Sequence, residues 1–355
     1  MPGAAQYMPT EDTLGSDHGV DLKICQCSGC GLVQLSNDPV PYYKEVIRAT
    51  SFSKEMTDFR RKQFKTFIKD YNLEHKKIIE IGCGTGHYLS IMDELDVNAS
   101  GIEFSTDSVE ICNKNGLNVR ESFIEKRSQK LDGGPFDAFF IMSFLEHLPH
   151  PNEILGSIYN NLNDGATGLV EVPNFDIILK KKLFAEFIGD HLFYFTEQTL
   201  ERTLQSNGFD VLDCKPVWYD YILSVVVKKR AGLDLSYFLS HKEKLKKEIG
   251  NYVKRFSKNS VAIWGAGHQS LAIMSLVALE GKIKYVVDSA TFKQGKFTPA
   301  THIPIVAPNE LNSDTPEAII VMAASYSDEV AGIIRNDYNP EIDVVILREF
   351  GLEMI

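Results

Sequence analysis

The stretch KKIIEIGCGTGHYLSIM, from Lys76 to Met92, decides how this chain folds. It opens as an apolar strand-like run, turns through Gly82, Gly84 and Gly86, and continues with helical spacing from His87. Glycines at such a turn let the backbone approach a ligand closely, and the helix behind them presents unpaired N–H groups. The spacing is GxGxG, not the GxGxxG of dinucleotide sites. Further along, NASGIEF (Asn98–Phe104) places Glu103 seventeen residues after Gly86. A carboxylate at that point can accept both hydroxyls of a ribose. FDAFFIMSFLEHLPHP (Phe136–Pro151) reads as the fourth strand, running into a loop at the rim where open sheets bind ligands. GLVEVP (Gly168–Pro173) follows as another strand, with helical stretches at His87–Leu95, Ser105–Asn115 and, upstream, Ser53–Tyr71. Alternation of this kind predicts an α/β fold with a parallel, doubly wound sheet.

The trio of glycine turn, Glu103 and fourth-strand loop resembles class I S-adenosylmethionine-dependent methyltransferases. That resemblance implies S-adenosylmethionine as methyl donor. It places Glu80 near the methionine amino group, the turn of Gly82, Gly84 and Gly86 along the methionine part, and Glu103 on the adenosine ribose. Cys83 lies inside the turn and reads as a small residue filling a tight space.

The whole chain has 355 residues, 44% of them hydrophobic, enough for packed cores and for two domains at about 150 residues each. Its 37 basic and 48 acidic side chains leave a net charge of −11, without the basic footprint that nucleic-acid binding needs. The N-terminus has neither a basic nor an apolar segment of secretory type, and no apolar run approaches the ~18 residues of a membrane span. Six scattered or clustered cysteines do not form a disulfide framework. These features predict a cytoplasmic protein with neither nucleic acid nor membrane as partner.

Downstream, VWYDYILSVVVKKR (Val217–Arg230) predicts late strand pairing, and a Lys-rich amphipathic stretch then predicts a connecting helix. A second alternation follows: SVAIWGAG, a helix from Gln269 to Glu280, KIKYVVD, AIIVMAA, a helix after Ser327, and DVVIL. Gly265, Gly267 and Asp288 hint at a nicotinamide site, although Ser270 stands where a third glycine belongs. The expected organisation is an arm over 1–50, a methyltransferase domain over 51–230, a linker helix over 231–258 and a second Rossmann-like domain over 259–355.

That second domain carries VVDSATFKQGKFTPATHIPIVAP (Val286–Pro308), which resembles the C-terminal domain of three-domain sugar C-methyltransferases. Three other stretches are similar to the same family: CSGCGLVQL (Cys27–Leu35) to its zinc module, ATSFSKEM (Ala49–Met56) to its serine-rich entry segment, and DHLFYFTEQTLERTLQSNGF (Asp190–Phe209) to its His-containing motif. The resemblance implies a keto-hexose on a nucleotide diphosphate as acceptor. Two departures stand out. The first cysteine pair of the zinc module has no counterpart, so Cys25, Cys27 and Cys30, with His18, are the candidates for zinc and no metal ligand is assigned. The active-site Tyr-His-Glu-His reads Ile188-Gly189-Asp190-His191 here, and Arg48 replaces a further aromatic.

Methyl transfer requires positioning and the removal of one proton. An imidazole with an ordinary pKa near 6.5 can accept it, and the resemblance puts His191 at the acceptor. Asp190 adjoins it in sequence, and His147 lies just past the fourth strand as a second acid/base or an orienting group. His87, His268 and His302 read as ordinary polar histidines; Arg48, Lys293 and Lys296 are candidate phosphate partners. Phe193, Tyr194 and Phe195 read as core. Methylation of a sugar oxygen with the same donor, nicotinamide oxidoreduction and donor binding without turnover are the alternatives.

Overall fold

A computed structural model describes residues 1–2, 8–45 and 53–355. Arg48 and positions 49–52 of the serine-rich segment lie outside the described residues. The chain divides into two compact units, Met1–Gly232 and Leu233–Ile355. Among the described residues no helix is long and apolar enough to cross a membrane.

The first unit opens with a small antiparallel hairpin, β1 (Ile24–Gln26) and β2 (Val33–Leu35), whose connecting turn carries Cys27 and Cys30. Helix α1 (Lys54–Asp70) starts where the Ser53 side chain accepts the Met56 N–H. It buries Phe64, Phe67 and Ile68. Then come β3 (Lys77–Ile81), α2 (His87–Asp93), β4 (Asn98–Glu103), α3 (Thr106–Lys114) and β5 (Val119–Glu121). After β6 (Phe136–Met142) the chain continues through α4 (Pro151–Asn160), β7 (Leu162–Pro173) and α5 (Phe175–Lys181). Strand β8 (Phe193–Tyr194) pairs with β2, so the arm is stitched onto this unit. Helix α6 (Glu197–Ser206), β9 (Phe209–Val217) and β10 (Ile222–Lys229) complete it.

The seven-stranded sheet has the order β5-β4-β3-β6-β7-β10-β9, with β10 antiparallel to both of its neighbours. Strands β3 and β6 are almost entirely buried and mostly apolar, as central parallel strands must be, with Glu80 a buried exception on β3. The chain winds outward in opposite directions from this pair, leaving a crevice at their carboxyl ends. The glycine turn, the end of β4 and the loop after β6 all meet at that edge.

The second unit begins with α7 (Ser236–Val253), the Lys-rich helix expected as a connector. It packs Leu245, Ile249 and Tyr252 into the core of this unit and is part of it. After it come β11 (Val261–Trp264), α8 (His268–Leu276), β12 (Val286–Val287), β13 (Ile305–Val306), α9 (Glu310–Ser313), β14 (Ala318–Val321), α10 (Ser327–Asp337), β15 (Asp343–Arg348) and β16 (Gly351–Met354). The sheet order is β13-β12-β11-β14-β15-β16, parallel except for β16. Helix α8 stops earlier than its apolar pattern predicts. Ala278 turns left-handed (φ +57°) and the Leu279 N–H closes back on the Met274 carbonyl at 3.0 Å.

One charged pair is sealed inside the first unit. The Arg60 guanidinium on α1 donates to the Glu171 carboxylate on β7, and both side chains are almost wholly buried. Gln63 donates to the other Glu171 oxygen, and the guanidinium lies 5.0 Å from the Tyr88 ring centroid. Removing one partner strands the other charge in low dielectric. Glu171→Leu is therefore expected to cost about 3–5 kcal/mol in a urea unfolding titration, with much of the loss recovered in Arg60→Met/Glu171→Leu. A loss no larger than that of an exposed pair would show the site to be wet.

Candidate active site

The turn after β3 is shaped by what lies against it. Gly82 has φ +69°, and a Cβ there would sit 2.5 Å from the Phe144 ring, so only glycine fits both the conformation and the contact. Phe144 itself follows the end of β6, which ties the turn to the fourth-strand loop. The Gly84 N–H donates to Glu103 Oε2 and the Ser105 N–H to Glu103 Oε1, both at 2.9 Å. Glu103 is 1% exposed. Its carboxylate thus clasps the glycine turn and the start of α3 together. Glu80 is fully buried on β3, in register with Gly101 and Phe140.

A pocket opens beside this clasp, lined by Gly82, Glu103, Phe104, Phe123, Ile124 and Phe144. Phe104 is 41% exposed and meets Phe123 edge-on at 6.1 Å. Lys44, from the arm, lies 5.3 and 5.1 Å from the two ring centroids and pairs with Glu125 at 2.8 Å. Aromatic walls, one buried carboxylate and a glycine turn fit the adenosine end of S-adenosylmethionine. A carboxylate offers about four acceptor positions, and Glu103 uses one on each oxygen for the backbone.

Beyond β6 the chain makes one buried turn, Leu145–His147. His147 Nδ1 lies 2.8 Å from the Asp190 carbonyl oxygen. A carbonyl only accepts, so Nδ1 carries the hydrogen, and Nε2 presents its lone pair 3.8 Å from Glu146 Oε1. The His191 ring packs edge-on against His147 with centroids 4.7 Å apart. One donor atom from each of Glu146, His147 and His191 lies within 4.8 Å of the others. The Leu192 N–H donates to the Glu146 carbonyl at 2.8 Å, holding the His191 loop to the buried turn.

Burial sets the charge of this trio. It pushes the Glu146 carboxyl up to about 8, against a smaller opposing effect of its own backbone N–H. It holds His147 below the ordinary histidine range, and burial together with His147 pushes His191 down to about 3. Both imidazoles are neutral at neutral pH. Asp190 is also buried; its carbonyl and, to a smaller extent, its side-chain charge favour protonated His147 against the larger effect of burial, while its carboxylate accepts the Tyr42 hydroxyl at 3.0 Å.

The sequence pointed to His147, Asp190 and His191, and the fold brings all three together. It gave no sign of Tyr42, which arrives from a Pro-punctuated segment without any period, or of Lys44. Glu146 had one visible signal, a carboxylate inside the apolar run FLEHL. His87 stands apart at the start of α2, its Nε2 3.4 Å from the Thr57 hydroxyl. Cys83 is wholly buried.

In the second unit Asp288 repeats the clasp: Ala266 N–H to Oδ2 at 2.8 Å and Ala290 N–H to Oδ1 at 2.9 Å. Lys293, expected as a phosphate partner or a solvated residue, instead pairs with Asp288 at 2.8 Å. Burial opposes the Asp288 charge; Lys293 and the backbone donors outweigh it and hold the carboxyl below its ordinary range. Ser270 is buried and donates to Met322 Sδ. A carboxylate already matched by an ammonium is a poor acceptor for ribose hydroxyls, which counts against the nicotinamide alternative. In the first unit, backbone donors at Cys30 and Gly29 lower the Cys27 thiol. Among the described residues no compact group of three donors includes Cys25, Cys27, Cys30 or His18.

Fold and site together define an S-adenosylmethionine-dependent methyltransferase. Residues 52–213 match the family described as methyltransferase domain, and residues 232–339 match the C-methyltransferase C-terminal domain. Both matches lie on the chain in this order, and in that arrangement it is similar to C-methyltransferases. C-methyltransferase NovU of Streptomyces niveus is 20% identical over 93% of this chain and 86% of its own length. Ubiquinone biosynthesis O-methyltransferase of Cupriavidus pinatubonensis is 25% identical over 47% of the chain and 73% of that protein. A solved S-adenosylmethionine-dependent methyltransferase from Clostridium acetobutylicum superposes with TM-score 0.42 and 14% identity, over 53% of this chain and 96% of that one.

Two outcomes follow from the geometry. Glu103→Ala is expected to weaken S-adenosylhomocysteine binding by about 1–3 kcal/mol in calorimetric titration, as loss of a buried hydrogen-bonding carboxylate should. The second concerns stability. Glu146 is raised on folding from 4.5 to about 8, so its contribution is fully present below pH 4.5 and is lost as pH rises through 8. Glutamine does not ionise, so the melting temperature of Glu146→Gln relative to wild type should climb between pH 5 and 8. A constant difference across that range would place the carboxyl in solvent.

Proposed function

We propose that this methyltransferase alkylates a keto-hexose carried on a nucleotide diphosphate, at a carbon next to the keto group, with His191 as the general base. The observation that carries the reading is the neutral His191 imidazole packed on His147 beyond the same strand end that borders the donor pocket. The sequence likeness to a C-methyltransferase along most of the chain supports carbon as the methylated atom.

S-adenosylmethionine, when bound, supplies a methyl group activated by positively charged sulfur. Glu103 and the turn of Gly82, Gly84 and Gly86 would hold it, with Glu80 buried beneath. His191 takes the proton from the acceptor carbon at one ring nitrogen. His147, its Nδ1–H fixed on the Asp190 carbonyl, buttresses that ring and keeps water from it. Tyr42 fixes Asp190 from the arm side and brings a phenol to the loop whose motif has Ile188 in place of tyrosine.

Methylation of a sugar oxygen is the second reading. It is favoured by that missing tyrosine, because an oxygen nucleophile needs no support for an enolate, and by relatives named as O-methyltransferases. Solvent exchange separates the two. Incubated in deuterium oxide with a nucleotide-diphosphate 4-keto-hexose and no donor, the wild type is expected to exchange the hydrogen next to the keto group, and His191→Ala is expected not to. Methyl transfer to that acceptor without any such exchange or carbon product would replace the carbon reading with the oxygen one.

A further inference from the structure

Glu146 is a carboxyl with no evident structural task. It is 1% exposed, its Oε2 makes no hydrogen bond among the described residues, and its Oε1 stops 3.8 Å from His147 Nε2. A buried polar atom left unsatisfied costs stability, and one that persists calls for a functional explanation. Its neighbours supply it. Proton transfer to His191 creates a cation against the buried Glu146 and His147, where an unpaired charge is expensive.

The other groups around that ring are committed elsewhere. His147 is neutral and, with its Nδ1–H on the Asp190 carbonyl, supplies no negative charge to that ring. The Asp190 carboxylate accepts from Tyr42. The Tyr194 hydroxyl bonds the Ile188 N–H and carbonyl, at 3.0 and 3.1 Å. Strand β7, which packs on the buried turn, carries Glu171, whose charge is matched by Arg60. Among the described residues, Glu146 is the carboxyl grouped with both rings, one of its oxygens lying within 4.8 Å of a ring nitrogen on each histidine.

We propose that Glu146 is the carboxylate that balances the charge formed when His191 accepts the acceptor's proton, so that Glu146, His147 and His191 hold that proton as one buried group. This rests on the reading of His191 as base. The acceptor's C–H bond breaks and its proton goes to a His191 ring nitrogen. The electron pair left on the acceptor forms the new bond to the methyl carbon, and the pair of the broken methyl–sulfur bond stays on sulfur. In the form that is active, populated as pH rises through about 8, Glu146 carries its negative charge throughout the step, and the proton returns to solvent when product leaves. Glu146 positions charge and touches no reacting atom.

The test uses the full-length protein with isotope-labelled histidine. On titration from pH 6 to 9, the ring resonances of His147 and His191 are expected to move together in wild type, with one midpoint near 8, and to stay flat in Glu146→Gln. Flat resonances in folded wild type overturn the proposal. With a nucleotide-diphosphate 4-keto-hexose and S-adenosylmethionine, Glu146→Gln is expected to lose kcat on the order of 10²-fold at unchanged KM, together with the rise of kcat with pH seen in wild type. Glu146→Asp should restore part of it. Unaltered kcat and pH profile in Glu146→Gln, with His191→Ala inactive, overturn this proposal and leave the base assignment standing. Full turnover by His191→Ala overturns both, even where the shared titration is seen.

Discussion

A glycine turn at the end of a buried strand creates a problem before it creates a binding site. It exposes backbone N–H groups in a place where water is largely excluded, and each must find an acceptor. Glu103 answers for Gly84 and, with its other oxygen, for Ser105 at the start of the next helix. Two strand ends and two helix starts are thereby fixed by one side chain, and Phe144 packed on Gly82 brings the third strand end into the same arrangement. The second unit repeats the device with Asp288, Ala266 and Ala290, and there Lys293 neutralises it. Equivalent backbone geometry thus carries different electrostatics in the two units. An aromatic-walled pocket lies beside the first, and the cleft at the second, lined by Gly265, Gly267 and Asp288, carries an internal ion pair with Lys293.

The cluster of Glu146, His147 and His191 obeys a different constraint. Close packing of two imidazoles and a carboxyl excludes water, and exclusion of water is what drives their proton affinities apart: the carboxyl upward, the imidazoles downward. An isolated His191 with so weak an affinity would make a poor proton acceptor. Its capacity has to be judged with its neighbours, since groups this close titrate as a set and not one by one. The surrounding scaffold pays little heed to titration. Backbone carbonyls of Asp190 and Glu146 fix the ring and the loop, and those acceptors do not change with pH.

Much of the fold could be read along the chain because it rests on local periodicity. KKIIEIG, FDAFFIM and AIIVMAA are apolar enough to be strands wherever they occur, and their alternation with helices implies a parallel sheet. Glycine spacing and the acid at Glu103 were readable for the same reason: turn, strand end and helix start follow one another in sequence. The limits lie where distant segments meet. Tyr42 reaches Asp190 across 148 positions, and Arg60 reaches Glu171 across 111. Neither partner carries a local mark of the other. The Lys-rich helix shows a third kind of limit. Its charges describe its wet face, whereas its membership of the second unit is decided by Leu245, Ile249 and Tyr252.

The pairing of β2 with β8 has an evolutionary side. Strand β8 begins two residues after His191, and the Leu35 N–H donates to the Leu192 carbonyl at 2.9 Å. The arm therefore supplies one edge of the very loop that carries His191, and Tyr42 adds a second fastening. Related enzymes that exchange arms by recombination would have to inherit the matching loop with them. A lineage that drifted in this loop would find the arm co-adapting, because the two share hydrogen bonds.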